Sequence, residues 1–129
     1  MAPLFLDLWE VVRIHEDQIG RYGGEPGIRD ISLLMSAVAM PRAGTEEGFL
    51  HSDLFQMAAA YLFHIVRNHP FVDGNKRTGA VAAIVFLSLN DVAVEADEAG
   101  LEALVRGVAE GQAGKDEVAD FFRHSTHQK

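Results

Sequence analysis

The sequence contains no cysteine, so it can form no disulfide, no thiolate metal site and no cysteine nucleophile. That fits a reducing compartment, and the cytoplasm is the expected location. Long apolar runs are missing too. The charge-free stretches 54–66 and 78–90 fall well short of the ~20 residues needed to cross a bilayer. No basic segment followed by an apolar core stands at the N-terminus, so the mature chain is expected to start near Met1. Positive charge is scarce: 11 Lys and Arg stand against 19 Asp and Glu, for a net charge of -8. This disfavours broad attraction to nucleic acid or to an anionic membrane, and an anionic ligand needs a local exception. Repeats and low-complexity tracts are also absent.

What is present suits one globular domain over 1–129, with 124–129 as a flexible tail: 129 residues, 48% hydrophobic and 23% charged. Pro3 suits a first helical turn, and Leu8, Val12, His15 and Ile19 continue at helical spacing until a helix end near Gly20. Asp30 can cap a second helix through Met40, stopped by Pro41. Residues 42–51 are polar, carry two glycines and show no periodicity, so they read as a loop or flap. Asp53 and Gln56 form a variant capping pair for a third helix to about Asn68, with Leu54, Met57, Tyr61, Ile65 and Val66 on one face. From Asn75 to Leu89 the unbroken apolar run Ala80–Leu87 predicts a helix surrounded on most sides, the central one. Val92–Val94 is short for a strand. Asp97 opens a fifth helix, and Val118, Phe121 and Phe122 mark a sixth, whose acidic start and basic end agree with the helix dipole. The expected fold is all-α, a compact bundle of about six helices around a central apolar helix, with room for a short flap before the third.

One stretch departs from a plain helical pattern: His69-Pro70-Phe71-Val72-Asp73-Gly74-Asn75-Lys76-Arg77-Thr78-Gly79. Lys76 and Arg77 fall in the first turn of the fourth helix, where free N–H groups already carry partial positive charge, a misplacement of a few tenths to ~1 kcal/mol each. Acidic side chains such as Asp73 can compensate, and so can a bound phosphate, for which a glycine turn entering a helix N-terminus is well shaped. Gly74 lets the backbone approach a ligand closely. Asp73 suits a magnesium ligand, since that ion joins one or two carboxylates to substrate phosphates, but it also suits a turn or cap. His69 is a neutral-pH proton acceptor able to take a hydroxyl proton during attack on phosphorus. Phe71, by alternation, points inward and anchors the loop.

These residues resemble the signature of the Fic/Doc family, His-x-Phe-x-(Asp/Glu)-Gly-Asn-Gly-Arg-x-x-Arg, at His69, Phe71, Asp73, Gly74, Asn75 and Arg77. Lys76 replaces a glycine and Ala80 the second arginine; both departures, with Thr78, are similar to the family's Doc ("death on curing") branch. Further similarity at His15-Glu16, Tyr22-Gly23-Gly24, Gly27-Ile28-Arg29-Asp30 and Phe86-Leu87 extends it over about residues 10–125. The resemblance implies a toxin kinase that transfers the γ-phosphate of ATP to a threonine or serine hydroxyl of a translation elongation factor. Fic-type relatives instead transfer AMP, and a non-catalytic antitoxin-binding module is a third reading. It also implies His69 as general base, Asp73 as the Mg²⁺ ligand, and Gly74, Asn75, Lys76 and Arg77 as phosphate binders. Transition-state stabilisation would then be mostly positioning and electrostatics.

Restraint of such a toxin in cis would need a (Ser/Thr)-x-x-x-Glu-(Gly/Asn) motif, which Glu47-Gly48 fails through Ala43 and Glu110-Gly111 through Arg106. The similarity to the Doc branch implies instead a separate antitoxin whose C-terminal helix enters a groove, and a flap at 42–51 that would dock the target. No direct contact with nucleic acid or membrane is expected. Among the remaining candidates, Arg67 suits the C-terminal dipole of its own helix. His15 reads as a hydrogen-bonded core histidine, and Trp9 and the phenylalanines as core. His51 and His64 lack metal spacing.

Overall fold

Asp7 sets the start of the first helix. In the computed structural model, which describes residues 2–128, its side chain accepts from the Glu10 N–H while Glu10 accepts from the Asp7 N–H, a reciprocal cap on α1 (Leu8–Tyr22). The helical turn expected at Pro3 does not form, because residues 4–6 are bonded elsewhere. The Leu6 N–H donates to the Tyr61 hydroxyl at 2.8 Å, and the Leu4 backbone exchanges hydrogen bonds with the Asn90 side chain. At the other end the helix passes Gly20, and the Gly23 N–H still donates to Ile19 O.

Asp30 caps α2 (Ile31–Ala39) through the Leu33 N–H, and Pro41 converts its end into the single 3-10 turn Met40–Arg42. The polar stretch that follows is a hairpin, β1 (Gly44–Thr45) against β2 (Gly48–Phe49), in the place expected for a flap. Asp53 caps α3 (Leu54–Asn68) by accepting from the Gln56 N–H, whereas the Gln56 side chain reaches back to the Ser52 N–H rather than to Asp53. α4 (Asn75–Leu89), β3 (Val92–Val94), α5 (Glu98–Ala109) and α6 (Lys115–His124) follow in chain order. The segment read as a tail from residue 124 instead ends α6 and forms β4 (Thr126–Gln128), antiparallel to β3, which offers it an unpaired edge. Lys129 lies outside the described residues.

The hub of the bundle is α3, not α4. It packs against α2, α4, α5 and α6, and Met57 through Leu62, Ile65 and Val66 are all buried. In α4 the apolar run buries one side through Ala82, Ala83, Phe86 and Leu87, while Val85 and Leu89 are exposed. Trp9 also corrects its expectation: it is 64% exposed, on the side of α1 away from buried Val11, His15 and Gln18. Where α3 meets α6, the Lys115 ammonium lies 3.3 Å from Nε2 of both His51 and His64. Burial first and that cation second hold His64 down to about 4.

Close contact between α3 and α4 depends on Gly79. A Cβ there would lie 2.9 Å from Val66 Cγ2 and 3.1 Å from the backbone oxygen of Leu62. Gly79→Ala is therefore expected to destabilise the fold by about 1–3 kcal/mol in urea denaturation, despite alanine's better helix propensity, because the two helices must move apart.

Candidate active site

The candidate site is the turn joining the hub helix to its main partner, and it is held from both sides. On the inner side Phe71 is fully buried and stacks on the His15 ring, with centroids 3.8 Å apart and planes 4° from parallel. His15 Nε2 donates to the carbonyl of Asp73 at 2.8 Å, so this buried histidine ties α1 to the loop. Asn75, 4% exposed, accepts from the Phe71 N–H at 2.9 Å and donates to the Phe71 carbonyl at 3.0 Å. Both ends of that side-chain amide are engaged with backbone. The Asn75 side chain thus holds the loop, while the residue itself lines the cleft at the start of α4.

On the outer side, residues 27–30 lie along the turn. Val72 N–H donates to Gly27 O at 3.0 Å, and Ile28 and Phe71 form an antiparallel bridge. His69 ends α3 in the left-handed conformation, φ 52° and ψ 52°, which is uncommon for a residue with a Cβ. Its side chain is exposed and makes no hydrogen bond among the described residues. Gly74, at φ 76°, is the N-cap of α4 and takes the left-handed conformation that glycine adopts without steric cost.

Asp73 is exposed yet oriented. One carboxylate oxygen accepts from the Gly74 N–H at 2.8 Å and the other from the Glu25 N–H at 3.2 Å. These bonds, Glu25 foremost and then Gly74, hold its carboxyl below the ordinary value, and the Arg77 charge adds to this. The approach of residues 23–25 requires Gly24, at φ 118°, because a Cβ there would lie 2.8 Å from Asp73 Oδ2. Arg77 donates to Gly23 O at 2.8 Å and lies over the Tyr22 ring at 5.8 Å. Lys76 is exposed and has neither a hydrogen bond nor an ion pair among the described residues.

The first helical hydrogen bond of α4 is Thr78 N–H to Gly74 O, so the N–H groups of Asn75, Lys76 and Arg77 have no partner within the helix. These three residues line, with His69, Asp73 and Gly74, a cleft of about 360 Å³. A larger, mainly apolar cleft of about 590 Å³ adjoins it between α1, α4 and α5, and Lys76 and Arg77 border both. Arg67 is not part of the cation cluster. It donates to the last carbonyls of α5, Val108 and Ala109, rather than to its own helix end. The arrangement can take an anion on the helix N-terminus and a proton on the nearby imidazole. A magnesium ion fits the residues present: Asp73 supplies one ionised carboxylate, and the remaining ligands of such an ion are ordinarily phosphate oxygens and water.

The anchors His15 and Gly24 have no expected role in the site from spacing alone. Their signal is weak, a buried histidine and glycines far from the motif in sequence.

A family model described as the Fic/DOC family matches residues 5–87. The chain is 36% identical over 114 residues to "Protein kinase doc" of Escherichia phage P1, covering 88% of this chain and 89% of that protein. It is 46% identical over 76 residues to "Toxin Doc" of Mycolicibacterium smegmatis, covering 59% of this chain and 58% of that protein.

Proposed function

Because the chain belongs to the Fic/DOC family, we propose that it is a toxin kinase that transfers the γ-phosphate of ATP to a serine or threonine hydroxyl of a translation elongation factor, stopping protein synthesis. The observation that carries this reading is the cleft itself. An exposed imidazole, an oriented carboxylate, an unpaired helix N-terminus and two cations share about 360 Å³. The phage relative named a protein kinase supports phosphoryl transfer in particular.

In this mechanism a ring nitrogen of His69 takes the proton of the target hydroxyl as its oxygen bonds to the γ-phosphorus. The bond from that phosphorus to the bridging oxygen breaks, and ADP leaves with the electron pair. The N–H groups of Asn75, Lys76 and Arg77 and the side chains of Lys76 and Arg77 hold the phosphate oxygens and offset their charge. Asp73 would hold Mg²⁺, which when bound offsets phosphate charge and helps orient the donor. Lys76, where Fic-type signatures have glycine, crowds the helix N-terminus and disfavours the pose that presents the α-phosphorus. The hairpin β1–β2 is the proposed dock for the target segment, by addition of a strand.

Restraint would come from an antitoxin whose C-terminal segment folds into a groove. The apolar cleft between α1, α4 and α5 is suited to such a helix, and a segment seated there would lie against Lys76 and Arg77. Incubation with a bacterial translation extract tests the reaction. Label is expected to pass from γ-labelled ATP, and not from α-labelled ATP, to one protein band. Transfer from the α-labelled donor alone would make the protein an AMP transferase, and transfer from neither would make it a non-catalytic binding module.

A further inference from the structure

The last carbonyls of a helix lack intrahelical donors and carry the negative end of its dipole. At the end of α3 these groups converge on one residue of a distant segment. Arg29 Nε donates to His69 O at 2.7 Å, its Nη2 donates to Asn68 O at 3.1 Å, and its backbone N–H donates to Pro70 O at 2.7 Å. Three consecutive carbonyls, the middle one belonging to the left-handed His69, are thus held by Arg29. Among the described residues the Arg29 guanidinium forms no ion pair with a carboxylate. Its charge faces the helix end.

We infer that Arg29 is a positioning residue for His69, its guanidinium fixing the Asn68 and His69 carbonyls so that the histidine backbone stays left-handed and the imidazole stays at the mouth of the cleft. The planar fork explains why arginine serves here. It presents two donors in fixed relation to two successive carbonyls, whereas a lysine ammonium would satisfy them without fixing their geometry. Arg29 does not line the cleft, and its hydrogen bonds go to Asn68, His69 and Pro70 rather than to the phosphate-binding end of α4 or the proposed metal ligand Asp73. Its loss should therefore act on the rate step that uses His69 and leave nucleotide binding in place. The assignment of a rate effect rests on the reading of His69 as the base.

Arg29→Ala keeps the backbone bonds from residues 29, 30 and 72 to this region, so the variant is expected to fold. Its kcat for phosphate transfer should fall about tenfold to a hundredfold, with KM for ATP within about twofold, and Arg29→Lys should recover part of the loss. In the same variants the His69 ¹³Cα and ¹³Cβ shifts and the three-bond HN–Hα coupling should leave left-handed values, while those of α5 and α6 stay fixed. Unchanged His69 signals in Arg29→Ala would overturn the inference, as would a fall in kcat without any movement of those signals. If the wild-type protein transfers no phosphate but the His69 signals still move, the kinase reading fails and the positioning role stands.

Discussion

Replacing His69 by alanine is expected to lower phosphate transfer by at least about a hundredfold, the lower bound for removing a general base, with little change in stability. The side chain is exposed and makes no hydrogen bond among the described residues, so its loss opens no cavity and strands no buried partner. The left-handed backbone at φ 52° is held from outside by Arg29 rather than by the imidazole. ATP binding should persist, because the N–H groups at the start of α4 and the Lys76 and Arg77 side chains are untouched. Single-turnover labelling alongside equilibrium nucleotide binding separates the two effects. A His69→Ala protein that binds ATP less tightly but transfers phosphate at the wild-type rate would move the base elsewhere.

Asn75→Ala is expected to act in the opposite sense, on the fold first and on transfer through it. The substitution leaves a buried N–H and a buried carbonyl of Phe71 without partners, an effect of about 2–6 kcal/mol for the two groups. Phe71 carries the ring against which His15 stacks, and His15 in turn holds the Asp73 carbonyl, so the disturbance reaches the carboxylate. Urea denaturation should show a lower midpoint with an unchanged slope. Asn75→Asp keeps the acceptor for the Phe71 N–H but places a carboxylate oxygen against the Phe71 carbonyl, and should be destabilised as well. If Asn75 acted only as a phosphate ligand, stability would stay at the wild-type level and ATP affinity alone would drop.

Much of the helical frame is readable in the sequence because its boundaries are marked by local chemistry. Asp30, Asp53 and the Gly74 turn act within a few residues of themselves, and helices 2, 3 and 4 begin where those residues place them. The start of α1 is different. Pro3 is compatible with a helical turn, but the bonds of Leu4 to Asn90 and of Leu6 to Tyr61 are long-range and override it. The same limit explains the hub. An unbroken apolar run predicts burial of α4, yet α2, α4, α5 and α6 all pack on α3, whose residues Met57 to Leu62 are buried without a break, and which neighbours share a helix is not written in its own periodicity. In the site, His69, Phe71 and Asp73 are legible from residue type and order. The side-chain role of Asn75 is not, since an amide beside a phosphate-binding turn has the same composition whether it faces the ligand or the loop. Arg29 and Gly24 lie about 40 and 49 residues from the groups they serve, and although the family resemblance runs through both, no local pattern gives either a role.

Intact-mass analysis of the translation factors recovered after incubation with the pure protein and Mg-ATP tests the central claim most directly. One elongation factor is expected to gain the mass of a single phosphate with the wild-type protein and none with His69→Ala. A gain of one adenylyl group, or the same phosphate gain with the His69→Ala protein, would contradict it.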